Sequence, residues 1–588
     1  MPRAVPCGTS PLHRSASKSF CDQSQRGNTT SALPTHFIHS IPSPKVAILA
    51  QGKRSLTRTL PYLRRVRKRW VWPLGILIGI LSLWAWQDPL YRLGRNIEIY
   101  GRVLQELALN YVDEPDLDRL TTRAIESMLG DLDPYTNFYS AVDVTQGQLE
   151  QSGRYAGIGI GVQEVAGRKV VYRVFAEGPA EKAGIRPGDL IVEIEDQQAA
   201  NLSLEKVQAL LRGAPGTKVR LLLERPAEKR RFPVQVSRAE IEPSAIPYAT
   251  LLPGDIGYIA LSQFSRNCAE SFRQELIQLK AQAPLKGLII DLRGNPGGLL
   301  QEALEILNLF LPKGELLLET RGRMPEANQK YYAQMHPFEP NLPLVILIDE
   351  QSASASEIVA GTLQDLDRAV IMGHRSFGKG LVQVVRPLVE NTQMKITVSR
   401  YYTPSGRCIQ LGRETQQVFK TRSGRPVREA NGILPDIVLP SALPIALKNT
   451  LTPYFFLFSA YLSALPDTIT LRPLPESFAQ TVLDSIARHP EAFTDENDRL
   501  LALLEKQNDT LAPVRTALNQ VKTALFQTRL GNLQKALPEA SFLVTQNVLY
   551  RQAGEKWAYA YAVREDPWIQ EARRLLETPQ RYQAILKP

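Results

Sequence analysis

Cysteine and histidine are scarce in this chain of 588 residues. Its four cysteines, Cys7, Cys21, Cys268 and Cys408, include no C-x-x-C pair, so the sequence predicts neither a disulfide scaffold nor a structural zinc site. Of its six histidines, three fall within the first 69 residues, which leaves few candidates for the usual histidine base of a nucleophilic enzyme. We expect no metal and no cofactor.

Acidic residues are nearly absent from residues 1–69. This head contains thirteen Lys and Arg and one acidic residue, Asp22, a net charge of +12, so the +11 of the whole chain leaves −1 for the rest. A near-neutral body argues against a nucleic-acid partner, which requires a basic surface. Residues 1–50 are rich in Ser, Thr and Pro without an apolar period, so we expect 1–69 to be a disordered basic head.

One charge-free stretch of 17 residues, from Trp70 to Trp86, follows five clustered cations. Its length and its terminal tryptophans predict a membrane span over 70–87, and the cations place the head in the cytoplasm. A cleaved signal peptide would need small residues before the cleavage site, and a buried core helix would not explain the cations. We therefore expect an uncleaved signal anchor in the inner membrane, with the remaining chain facing the periplasm or extracytoplasmic space.

The body divides into four segments, which together predict a multidomain α/β (α+β) protein. Apolar residues at helical spacing indicate a helical arm over 88–152, with a second helix from Leu117 that ends at Gly130. Short strands and turns dominate 153–240, buried strands alternate with helices over 241–440, and 441–588 is mostly helical in pattern.

The segment 153–240 begins with a glycine-flexible loop, Gly157, Ile158, Gly159 and Ile160, that enters a strand. A short helix, a Pro-Gly turn and a second strand follow over 178–194. These features resemble a PDZ domain, in which loop N–H groups bind a C-terminal carboxylate and the peptide adds a strand to the sheet. A nucleotide-binding loop is the alternative, but the glycines do not form G-x-G-x-x-G.

Two buried strands of the segment 241–440 each lead into a glycine- or serine-rich turn and a helix. Gly287–Asp291 leads to Leu292–Gly298, and Leu344–Asp349 leads to Ser352–Glu357. Small neighbours leave the Ser354 hydroxyl accessible, and the start of the following helix offers N–H groups to an oxyanion. Ser354 is therefore a candidate nucleophile.

Lys379, in a glycine loop that enters a strand, is the candidate base for Ser354. The ordinary pKa of lysine, about 10.4, makes it a poor base, but burial disfavours the charged form and lowers this pKa by up to about 3–5 units. A serine and a neutral lysine then form a working pair.

These motifs resemble the C-terminal processing peptidases, also called tail-specific proteases, over about 90–440. In that family, the middle serine of S-A-S-A-S-E is the nucleophile and the lysine of F-G-K-G, 25 residues later, is the base, which implies these roles for Ser354 and Lys379. The segment Leu132-Asp-Pro-Tyr-Thr also has a family counterpart. The resemblance implies protein substrates with accessible C-terminal tails, and a homo-oligomer is a further expectation. The extension 441–588 is similar to that of longer members of the family.

The resemblance implies further site residues. Asp365 and Gln383 would orient Lys379, and the N–H groups of Gly297 or Gly298 and of Ala355 would bind the oxyanion. Other interpretations stay open at this point: Ser354 as a helix cap, although Ser356 is the favoured N-cap; Asp365 as a solvated helix residue; and the glycines as an ordinary helix entry. A catalytically inactive PDZ scaffold and a Ser/Lys acyl-transfer enzyme acting on cell-wall peptides are the alternatives for the whole chain.

Overall fold

A computed structural model describes residues 89–140, 155–165, 167–412, 417–429, 431–441, 480, 484, 496–507, 512–535 and 537–587. The expected head at 1–69 and the expected anchor at 70–87 lie outside these residues. Within the described ranges, no helix is long and apolar enough to cross a membrane. The chain forms two compact units, Met1–Asn110 and Tyr111–Pro588.

The described part of the first unit is one helix, α1 (Pro89–Asn110). The second unit begins with α2 (Leu117–Gly130), whose start is capped by Asp116: its carboxylate accepts a hydrogen bond of 2.9 Å from the Arg119 N–H. A short strand, β1 (Asn137–Tyr139), follows. The sequence-based bounds of the second helix agree with α2.

The β-rich segment forms an inserted domain whose entry and exit strands, β2 and β9, pair with each other. A second sheet of this domain has the order β3-β4-β5-β7-β8, with β6 on β5. Its elements are β2 (Tyr155–Gly157), β3 (Ile160–Val165), β4 (Arg168–Val174), α3 (Pro179–Lys182), β5 (Leu190–Ile194), β6 (Gln197–Gln198), α4 (Leu204–Leu211), β7 (Lys218–Arg225), β8 (Arg230–Ser237) and β9 (Ala239–Ile241). Within the described residues β3 pairs only with β4, so its other edge is open beside α4.

The core contains a six-stranded sheet of order β10-β11-β12-β15-β16-β21, parallel except for β10. A second sheet joins β1, β18, β13 and β14, with β17 on the other edge of β18. The elements are β10 (Tyr248–Leu252), β11 (Ile256–Ala260), α5 (Cys268–Gln282), β12 (Gly287–Asp291), α6 (Leu300–Asn308), β13 (Leu316–Gly322), β14 (Gln329–Tyr332), β15 (Leu344–Ile348), α7 (Ala355–Asp365), β16 (Ala369–Gly373), β17 (Leu381–Pro387), β18 (Gln393–Tyr402), β19 (Val418–Lys420), β20 (Pro426–Arg428) and β21 (Ile437–Val438).

The C-terminal extension completes this core. Helices α5, α6 and α7 cover one face of the six-stranded sheet, and the last two helices of the chain cover the other, so the sheet is buried on both faces. The extension comprises α8 (Glu496–Gln507), α9 (Ala512–Lys535), α10 (Leu537–Ala553), α11 (Glu555–Glu565), α12 (Pro567–Leu576) and α13 (Pro579–Leu586). Among its core side chains, Ile569, Ala572 and Leu575 are fully buried.

Candidate active site

Ser354 lies in a strained turn at the carboxyl end of β15. Its φ of 55° falls in the region that favours glycine, and it occupies the N-cap position of α7, which begins at Ala355. The expectation that Ser356 is the N-cap is therefore wrong: the Ser356 hydroxyl is buried and donates to the Asn295 carbonyl at 3.0 Å. Strain of this kind, held by the surrounding turn, is typical of functional positions.

Glu357 joins the segment of Ser354 to the loop of Lys379. Its Oε2 accepts hydrogen bonds of 2.8 Å from both the Ser354 and the Lys379 N–H, while Oε1 accepts from the Ser376 hydroxyl at 2.5 Å and the Gly378 N–H at 2.7 Å. Burial raises the pKa of this carboxyl, although the four hydrogen bonds act in the opposite direction. Glu357 was not among the predicted site residues, although its position three residues after an N-cap, as in a capping box, is a signal that could have revealed it.

Gly297 packs directly against the segment of Ser354. Its φ is +96°, and a Cβ at this position would lie 2.7 Å from the Ala353 carbonyl oxygen, 2.8 Å from the Ser354 Cβ and 2.9 Å from the Ala355 nitrogen. A residue larger than glycine therefore does not fit without moving the nucleophile segment.

The hydrogen bonds of this turn distinguish between the N–H groups of Gly297 and Gly298, the two alternatives for one oxyanion donor. The Gly297 N–H already donates to Asn295 Oδ1 at 2.8 Å. In the part of the chain that the structure describes, the N–H groups of Gly298 and Ala355 donate to no other group. The pair with donors available for an oxyanion is therefore Gly298 and Ala355.

A cavity of about 910 Å³ brings most of the candidate residues together. Its lining includes Ser354, Lys379, Gln383, Gly297, Gly298 and Ala355. Lys379 is half-buried in its glycine loop, and its Nζ lies 4.5 Å from the centroid of the Tyr135 ring. The Gln383 side chain donates from Nε2 to the Thr397 hydroxyl at 3.3 Å.

Tyr401 is a buried neighbour of Ser354 and Lys379 and was not among the predicted site residues. Its hydroxyl donates to the Lys379 carbonyl, and its phenol also has the Ser354 side chain as a hydrogen-bond partner. Burial raises the pKa of Tyr401 well above its ordinary value, so the phenol stays neutral. A neutral phenol here fixes the lysine loop against the serine.

Asp365, which the resemblance implies to orient Lys379, does not line this cavity. It lies at the opposite end of α7 from Ser354, about 16.5 Å along the helix axis. Its carboxylate pairs with Arg407 at 2.7 Å and accepts from the Ser405 N–H at 3.0 Å, and both side chains of the ion pair are buried. These contacts attach the 403–407 turn to α7.

The predicted peptide-binding loop of the inserted domain is held by its carbonyl groups. The Ile158 carbonyl accepts from the Ala180 N–H at 2.9 Å, and the Gly159 carbonyl accepts from the Phe175 N–H at 3.0 Å. Gly157 ends β2, Gly159 has a φ of +80°, and Ile160 begins β3. These bonds hold the loop against the start of α3 and the end of β4.

Fold and site together define a mixed α/β peptidase of the serine type with an inserted PDZ domain. Residues 255–439 match the model of peptidase family S41, and residues 170–225 match that of a PDZ domain. The carboxy-terminal-processing protease of Bartonella bacilliformis is 35% identical over 358 residues, 60% of this chain and 77% of that protein. The chain belongs to the carboxy-terminal processing serine proteases of peptidase family S41.

Two other proteins show the range of this similarity. The carboxy-terminal processing protease CtpB of Bacillus subtilis is 34% identical over 307 residues, 51% of this chain and 62% of that protein. The solved structure of the photosystem II D1 C-terminal processing protease is 28% identical and covers 59% of this chain and 94% of its own, with a TM-score of 0.36.

Proposed function

We propose that this chain is a membrane-anchored serine endopeptidase that binds the C-terminal tails of proteins at its PDZ domain and cleaves them with Ser354 and Lys379. The observation that carries the proposal is the Glu357 carboxylate, which receives the N–H groups of both residues at 2.8 Å and so holds the two loops together beside Gly297.

Neutral Lys379 starts the reaction by taking the proton of the Ser354 hydroxyl, whose oxygen attacks the peptide carbonyl. The N–H groups of Gly298 and Ala355 stabilise the oxyanion. The protonated Lys379 then gives its proton to the leaving amine, and water releases the acyl group with Lys379 again as base. Gln383 and Tyr401 hold the lysine segment in place.

The PDZ domain delivers the substrate in this proposal. The tail adds to the open edge of β3 beside α4, and its carboxylate binds the N–H groups of residues 157–160. The span at 70–87 anchors the chain in the inner membrane, with the peptidase outside the cytoplasm; the support is the cluster of cations before Trp70.

The test uses the detergent-solubilised full chain and an unfolded reporter with an apolar C-terminal tail. We expect cleavage by the wild type, loss of cleavage in Ser354→Ala and Lys379→Ala, and normal cleavage in the exposed controls Ser271→Ala and Lys420→Ala. A reporter with an amidated C-terminus should be cleaved more slowly because it lacks the carboxylate.

Two outcomes would favour the alternatives. Equal tail cleavage by the wild type and Ser354→Ala would leave the chain as a PDZ scaffold without peptidase chemistry of its own. An intact reporter together with acylation of Ser354 by a β-lactam would favour acyl transfer on cell-wall peptides.

A further inference from the structure

Tyr135, in the helical arm, places its aromatic ring beside Lys379, one of the residues that line the cavity. Lys379 Nζ lies 4.5 Å from the ring centroid, inside the roughly 6 Å range of a cation–π contact. Tyr135 is half-buried, and it reaches the lysine from a segment more than 200 residues earlier in the chain. The geometry therefore gives the arm a direct contact with the candidate base.

A turn that begins at Asp133 fixes the backbone at Tyr135. The Asp133 carboxylate accepts from the N–H groups of Tyr135 and Thr136 at 2.9 and 3.0 Å, and from the Thr136 hydroxyl at 2.8 Å. Such a turn sets the backbone from which the ring projects.

Strand pairing fixes the backbone that follows Tyr135. Asn137 begins β1 and lies opposite Lys395 of β18, and the Thr136 hydroxyl accepts from the Thr397 N–H at 3.2 Å. The hydroxyl of that same Thr397 accepts from Gln383. The segment of Tyr135 is thus held against β18, and Thr397 of that strand also binds Gln383 of the cavity.

We propose that Tyr135 is a positioning residue whose ring face stabilises the ammonium group that Lys379 becomes during catalysis. This inference rests on the Ser/Lys reaction proposed above. As the Ser354 Oγ–C bond forms, the Oγ–H bond breaks, the proton passes to Lys379 Nζ, and the carbonyl π electrons move to oxygen. When the C–N bond breaks, its electron pair stays on the leaving nitrogen, which takes the proton from Nζ.

The benefit of the ring is larger in the transition state than in the ground state. A neutral amine gains little from the negative face of an aromatic ring, whereas an ammonium group is attracted to it. Only an interaction that strengthens as the charge develops raises kcat. Loss of the ring face should therefore lower kcat by roughly threefold to thirtyfold without a matching change in KM.

The experiment lowers the negative electrostatic potential of the aromatic ring face at position 135 while nearly keeping its shape, in the solubilised full chain. Position 135 carries phenylalanine, then 4-fluoro-, 3,5-difluoro- and 3,4,5-trifluorophenylalanine, and kcat of each variant is taken from the plateau of its measured pH profile. Tyr135→Phe should stay close to the wild type, kcat should fall stepwise with each fluorine, and Tyr135→Leu should be lowest. The same series at the exposed Tyr332 should leave kcat constant.

A constant kcat along the series at position 135 would overturn the inference, as would a Tyr135→Phe variant as slow as Tyr135→Leu. If Tyr135→Leu does not fold, the fluorinated rings still give the answer because their shape is nearly that of phenylalanine. Lys379→Ala in the same assay separates the two hypotheses. An active Lys379→Ala contradicts the proposed function, whereas an inactive one with a flat fluorine series contradicts only the role of Tyr135.

Discussion

Asp566, at the start of helix α12 in the C-terminal extension, forms an ion pair with Arg293 in the turn that leads to Gly297. Asp566 Oδ2 lies 2.7 Å from Arg293 Nη1, while its Oδ1 caps α12 by accepting from the Trp568 N–H at 2.8 Å. The same guanidinium bonds to Asp291 at the end of β12, which holds it from a second side. The last helices of the chain are thereby connected to the turn that contains Gly297 and Gly298.

The variant Asp566→Asn separates the two roles of Asp566. Asparagine is as good an N-cap as aspartate, so α12 keeps its cap while Arg293 loses a charged partner. We expect a loss of about 1.5–3 kcal/mol in the free energy of unfolding and a drop of a few-fold in kcat. The neighbour Glu565→Gln, which weakens only a surface ion pair with Arg564, is the control and should leave thermal unfolding and kcat nearly unchanged. Equal behaviour of the two variants would show that the ion pair has no effect.

Gly297→Ala tests the close approach of the Gly297 backbone to Ser354. The added methyl group has no space between Ala353, Ser354 and Ala355, so the donors move and kcat should fall on the order of 100-fold. Gly294→Ala is the matched control: its φ is +69°, but the nearest atom, a side-chain oxygen of Gln351, lies 3.7 Å from the added Cβ. It should lose about 1–2 kcal/mol of stability and keep most of its activity. Similar kcat values for both variants would contradict this geometry.

Asp365→Asn tests whether this residue acts on Lys379 or on the fold. Removing one partner of a buried ion pair costs about 3–5 kcal/mol, because the charge of Arg407 stays buried and uncompensated. We expect a lower midpoint of thermal unfolding, with kcat per folded molecule close to that of the wild type. A second change, Arg407→Met, should restore part of the stability. A large loss of kcat at normal stability would favour the orienting role instead.

Glu357→Gln should reduce activity by uncoupling the two loops. A carboxamide keeps one acceptor oxygen and turns an NH₂ group toward the donors on the other side, so either Ser354 and Lys379 or Ser376 and Gly378 lose their acceptor. A shift of about 1 Å in a catalytic group costs on the order of 100-fold in rate. Single-turnover kinetics would measure the loss, and an unchanged rate would remove Glu357 from the site.

The raised pKa of Glu357 also predicts how stability depends on pH. Between the ordinary glutamate value of 4.5 and the raised folded value, the folded chain binds more protons at this site than the unfolded chain. The contribution of Glu357 to the free energy of unfolding must therefore decrease as pH rises through this window. The difference in unfolding midpoint between the wild type and Glu357→Gln should shrink over the same window. A difference in unfolding midpoint that grows with pH would mean that folding lowers the pKa of Glu357 instead of raising it.

The sequence predicted the two loops of the site because each follows a buried apolar strand. Gly287–Asp291 is β12 as expected, and the strand expected at Leu344–Asp349 is β15, one residue shorter. The carboxyl ends of these parallel neighbours meet at one edge of the sheet, so their turns necessarily lie close together.

Contacts between residues that are far apart in the sequence could not be predicted from sequence patterns. Asp365 is three helical turns from Ser354 and so lies on the same side of α7, but spacing on a helix does not reveal the distance to Lys379 or the presence of Arg407. Tyr135 lies beside Lys379 in a segment that continues into β1, and the partner of β1 is the distant strand β18. The pattern of 441–588 predicted a mostly helical segment, while the sheet face that α12 covers is a tertiary property.

The most direct test of the account is to locate the covalent adduct formed by a fluorophosphonate, a reagent that labels activated serines. The account predicts a single adduct on Ser354, found by mass spectrometry of the digested full chain, with labelling at least 100-fold slower in Lys379→Ala. Labelling of a different serine, or equal labelling rates in the wild type and Lys379→Ala, would contradict a site in which Lys379 activates Ser354.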